Sequence, residues 1–130
     1  MKSTAPKDKP YDLEERTYAF ALEVRLFLKK TKWDPVSWTD IKQLLRSSGS
    51  VAANYVESVE SISAPDNLYR LRVTKIEARE SGMWLRLISD CNHLDEETEA
   101  TLQSLLSESG ELVKILASII RKKSATEPLP

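Results

Sequence analysis

An all-α fold, a single-domain antiparallel up-and-down four-helix bundle, is predicted by three features of this sequence. Apolar residues recur at spacings of three, four and seven along four long segments, as they do on helices that bury one face. Short runs rich in Asp, Pro, Ser and Asn separate the segments and break helices. Alternation at period two, the mark of a half-buried strand, persists over no useful window. Four helices with short connections pack most simply with each antiparallel to the last.

Residues 1–10 hold three Lys and two Pro with few apolar groups, and read as a disordered tail. The bundle is expected over 11–123. Helix 1, about 13–32, starts behind Asp12, with Glu15 placed as in a capping box. Phe20, Ala21, Val24, Phe27 and Leu28 form its core stripe, and Lys29, Lys30 and Lys32 suit its C-terminal dipole. Trp33-Asp34-Pro35-Val36 interrupts the pattern, and Ser37 is the next capping candidate.

Helix 2, about 38–61, carries Ile41, Leu44, Leu45, Val51, Ala52, Tyr55, Val56 and Val59 on one face, with the very small residues Ser47, Ser48, Gly49, Ser50, Ala52 and Ala53 in a run among them. An interior Gly costs roughly 1 kcal/mol against Ala, so such a run implies close approach by a neighbouring helix. Helix 3, about 66–91, follows Pro65 and Asp66, both suited to a first turn. Its main face reads as Leu68, Val73, Ile76, Met83, Trp84, Leu87 and Ile88, with Leu71, Ala78 and Leu85 on a second side. Helix 4, about 96–122, repeats Leu102, Leu105, Leu106, Leu112, Val113, Leu116, Ile119 and Ile120. Residues 124–130 read as a disordered tail.

The bulk numbers narrow the function. At 130 residues, 41% apolar and 30% charged, the chain can bury the core of one soluble domain. Acidic residues number 20 against 19 Lys and Arg, so nucleic acid or anionic lipid would have to be met by a local patch. Cys91 is the single cysteine, which excludes an internal disulfide and points to a reducing compartment. No stretch reaches the ~18 apolar residues of a membrane span, and residues 1–10 lack the apolar core of a signal peptide. The expectation is a cytoplasmic protein with no membrane, cofactor, metal or small-molecule partner.

Arg46, Asn54 and Glu57 on helix 2, with Glu77 and Glu80 on helix 3, form a candidate polar cluster of structural kind. Ile76 and Met83 flank Glu80, which implies a buried carboxylate paired with Arg46 and assisted by Asn54. Breaking such a pair costs about 3–5 kcal/mol when it is fully buried. No nucleophile or histidine completes a catalytic set there, and no enzyme is expected. Arg72, Lys75, Arg79 and Arg86 make a basic stripe on helix 3. It can follow a phosphate backbone, or pair with Glu14, Glu15, Glu23 or Glu57 within or between subunits.

His93 reads as a helix-end residue and Cys91 as a buried thiol near the apolar face. Trp33 and Trp38 read as a cap on the bundle end. Tyr18, Leu22, Leu26, Leu71 and Leu85 exceed what one partner face covers, so they are candidate contacts of a homo-oligomer.

The run Gln43-Leu44-Leu45-Arg46-Ser47, then Ser50-Val51-Ala52-Ala53-Asn54-Tyr55-Val56-Glu57, Lys75-Ile76-Glu77-Ala78-Arg79-Glu80 and Trp84-Leu85, resembles the 23S rRNA-intervening-sequence proteins of bacteria. The resemblance spans about residues 11–121. It implies an up-and-down bundle assembling as a ring-like homopentamer. It also implies kinship with the accessory variability protein of diversity-generating retroelements, and with it an RNA- or DNA-binding role.

Overall fold

The computed structural model describes residues 12–126 and contains four helices: α1 (Leu13–Lys29), α2 (Pro35–Val59), α3 (Ala64–Cys91) and α4 (Glu96–Thr126). The tail expected at 1–10 lies outside the described residues, as do 127–130. No strand occurs among the described residues. Each helix packs on the next in sequence and α4 returns to α1, while the backbones of the diagonal pairs α1/α3 and α2/α4 do not approach closely. That is the square of an up-and-down bundle. α2 and α3 share the most extensive seam.

Local chemistry sets the ends. Asp12 accepts from the Glu15 N–H at the start of α1, and Ser63 from the Asp66 N–H at the start of α3. α2 begins earlier than expected because Asp34, not Ser37, is its cap: Asp34 Oδ1 accepts from the Ser37 N–H at 2.8 Å, and Pro35 occupies the first turn. The residues that stop one helix therefore start another. Asp95 caps α4 through the Thr98 N–H at 2.7 Å, and that hydrogen bond holds the Asp95 carboxyl below its usual pKa. α1 stops at Lys29, short of the expected 32, as Trp33 folds back to donate Nε1–H to the Leu28 carbonyl at 3.1 Å. α4 runs on to Thr126, so residues 124–126, expected in a tail, are helical.

The core is one cluster built around Phe20, Val24, Leu44, Leu85, Leu102 and Leu116. α3 enters it by a face that keeps Leu68 and Ile88 of the expected set inside but turns Ile76, Met83 and Leu87 out and brings Leu71, Ala78 and Leu85 in. Leu71 (2% exposed) and Leu85 (0%) are core residues and cannot be subunit contacts, whereas Ile76 (58%) and Met83 (46%) face outward. The reason is packing: Thr74, Ala78, Ser81 and Gly82 line the buried face, where small side chains let α2 and α4 close in. Ile76, Met83 and Leu87 are left in water.

Small residues mediate both α3 seams. Ser81 Oγ donates to Ser47 Oγ at 2.8 Å across the fully buried α2/α3 contact. A Cβ built on Gly82 would lie 2.8 Å from Ser109 Oγ of α4. Among the described residues no buried side-chain nitrogen or oxygen lacks a partner.

Candidate functional site

The α2/α3 surface carries the expected charges in a different arrangement. Arg46 donates two hydrogen bonds to Glu77, both at 3.2 Å, and Nη2 also reaches Glu80 Oε1. The Glu77 hydrogen bond leads in raising the Arg46 pKa further. This fork lies at the rim: the Arg46 side chain is 47% exposed and that of Glu80 33%. Glu80 is thus not the buried carboxylate its neighbours implied, because Ile76 and Met83 beside it are themselves exposed. Asn54 does not join; it accepts from Arg70 Nη1 at 2.9 Å and donates to the Ser50 carbonyl. Glu57 is exposed and stands apart from the fork, offering only its backbone carbonyl to Ser61.

Rim ion pairs contribute little, so Glu80→Gln should change the unfolding free energy by less than about 1 kcal/mol in a thermal melt. A loss of about 3 kcal/mol or more would restore the buried pair.

Two arginines that the sequence reading passed over tie α1 into the bundle. Arg25 donates to the carbonyls of Ala21 and Leu45 and to Ser48 Oγ, at 3.0, 3.2 and 3.3 Å. Gly49 leaves room for it, since a Cβ there would stand 3.0 Å from Arg25 Nη2. Arg16 grips Glu108 of α4 with two bonds, at 2.7 and 2.9 Å, and this contact leads in raising the Arg16 pKa. The signal was present: Arg25 interrupts an apolar run opposite the only stretch of α2 small enough to admit it.

Cys91 is exposed, not buried, because the core phase of α3 ends at Ile88 and the next inward position is Asn92. Asn92 bonds to Ser37 Oγ at 3.1 Å and to the Ile88 carbonyl at 2.8 Å, closing that end of the α2/α3 seam. His93 is exposed in the turn before α4. Trp33 packs edge-on against Phe27 at 5.8 Å, whereas Trp38 is half exposed at the mouth of a cleft of about 370 Å³ with Arg25 and Lys29. Among the described residues no group of three His, Cys, Asp or Glu could hold a metal.

What remains outward is apolar. On α1, Tyr18, Leu22 and Leu26 form one exposed row. Tyr18 borders a groove of about 470 Å³ floored by Gly49, Ala52 and Ala53 of α2. On α3, Tyr69, Ile76 and Met83 recur every seven residues on the outer face, joined by Leu87. Beside them run Arg72, Arg79 and Arg86, also seven apart and all exposed; Lys75 is half-buried on the same side.

The model of the 23S rRNA-intervening sequence protein family matches residues 11–118. The chain belongs to that family. A similar solved structure agrees: a protein of unknown function from the S23 ribosomal protein family of Bacteroides thetaiotaomicron VPI-5482 superposes with a TM-score of 0.68. It is 27% identical, over 83% of this chain and 97% of that one. No curated protein matches. Neither the family nor this neighbour carries a catalytic description. Among the described residues, no helix of this family member is long and apolar enough to cross a membrane.

Proposed function

We propose that this protein is a non-enzymatic helical scaffold or binding module of the cytoplasm whose copies assemble with one another. A closed ring of five is the arrangement that the family resemblance implies. One observation carries the reading: two apolar rows, Tyr18/Leu22/Leu26 and Ile76/Met83/Leu87, remain in water after the core is complete. Contiguous apolar surface of that kind on a soluble domain usually marks an interface. Light scattering at micromolar concentration is expected to return a multiple of 14.8 kDa. A mass of one chain would overturn the proposal.

A second reading has its own observation, the row Arg72, Arg79 and Arg86 exposed along one helix. Evenly spaced arginines suit a phosphate backbone, and a ring would multiply the row. Filter retention of RNA or DNA at ~50 mM salt, weakening steeply as salt rises, supports this reading; no retention at that salt removes it.

A further inference from the structure

We infer that copies of this chain join head to tail, the α1–α2 groove of one receiving the outer α3 stripe of the next. The inference rests on the self-association reading above and adds which face meets which.

Placement comes first. α1 and α3 stand at opposite corners of the square with no close backbone approach, so their outer faces look away from each other. No single copy can cover both. A two-fold pairing of like faces, groove on groove or stripe on stripe, would bury one apolar row and leave the other wet. A heterologous contact uses both once per copy.

Charge selects the same pairing. The groove is bordered by Glu14 and Glu15, both exposed, whereas the α3 stripe is bordered by Arg79 and Arg86. Glu80, the acid on the stripe's other side, shares Arg46 with Glu77, so that fork adds one negative charge against two arginines and the stripe stays positive. Groove on groove sets acid against acid, and stripe on stripe sets arginine against arginine. Groove on stripe sets Glu14 and Glu15 against the arginines, and like charges facing one another are what a chosen interface avoids.

Shape supports it too. Gly49, Ala52 and Ala53 give the groove a floor of small side chains that can admit an approaching helix carrying Ile76 and Met83. The groove lies along the α1–α2 edge, so the two contacts on one copy are not collinear, which is what a heterologous contact needs to close into a ring.

The test is a mixing experiment with two surface variants. Ala53→Arg fills the groove and adds a positive charge facing the arginines; Met83→Glu puts an acid on the stripe. Both positions are exposed, and unchanged helical circular dichroism with a retained melt reports folding. Each variant alone should give the mass of one chain, 14.8 kDa. Mixed in equal amounts, they should give twice that mass and stop, because only one intact groove and one intact stripe remain per pair. Dissociation of one variant but not the other would mean a like-face dimer and overturn the inference. So would two dissociated variants that stay apart on mixing. In both cases self-association itself would stand. A wild type of single-chain mass would instead sink the reading on which this one rests.

Discussion

Leu85→Ala should lower the unfolding free energy by roughly 2–5 kcal/mol, a drop of about 10 °C or more in Tm for a domain of this size. Leu85 has no exposed surface and lies in the cluster shared by all four helices, so truncation removes its transfer energy and leaves a cavity the bundle can only partly close. The informative comparison is Ile76→Ala on the same helix. Ile76 is mostly in water, and in an Ala53→Arg background, where the groove is blocked, its truncation should cost no more than about 0.5 kcal/mol. Thermal or urea melts of the two variants in that background decide the matter. Equal losses would mean that α3 is turned the other way, with Ile76 and Met83 inward as their hydropathy suggests.

That comparison also marks where sequence reasoning stopped. The four helices were legible because their apolar spacing is strong, and the breaks were legible because Asp34-Pro35 and Ala64-Pro65 cannot continue a helix. The core faces of α1 and α4 followed from periodicity alone, since there the inward positions are also the greasiest. On α3 the two criteria part. Its inward face is chosen by size, through Thr74, Ala78, Ser81 and Gly82, because α2 and α4 both press against it closely.

A hydropathy pattern records affinity for oil and not tolerance of a near neighbour, so it missed the small middle of a buried face whose ends are Leu68, Leu71, Leu85 and Ile88. The same blind spot hid Arg25. Its value depends on the space above Gly49 and on carbonyls of two helices, neither of which a linear pattern displays. The Arg46–Glu80 pairing could be guessed across two helices, but its depth could not, because depth depended on the phase of α3.

The second large effect lies at Gly82, where Gly82→Leu should cost about 3 kcal/mol. None of the chain's three glycines adopts a positive φ, so space alone decides what each can accept. At Gly82 even a Cβ would come within 2.8 Å of Ser109 Oγ, itself buried and bonded to the Leu106 carbonyl. A leucine there must push α4 away from α3 along a seam that is otherwise closed. Gly110 supplies the opposite control: nothing lies within 4 Å of its added Cβ, so Gly110→Ala should gain about 1 kcal/mol of helix propensity.

Relief of the clash gives a sharper version of the test. Ser109 Cβ lies 3.8 Å from the added Cβ, an ordinary contact, so Ser109→Ala removes the offending oxygen without opening a large void. Gly82→Ala alone sets that same propensity gain against the clash. Combined with Ser109→Ala it should exceed the sum of the two single variants, a positive coupling that a double-mutant cycle reads directly. Additive changes, or a Gly82→Leu protein melting like the wild type, would mean that α3 and α4 do not meet at Gly82 and that the small face of α3 has some other neighbour.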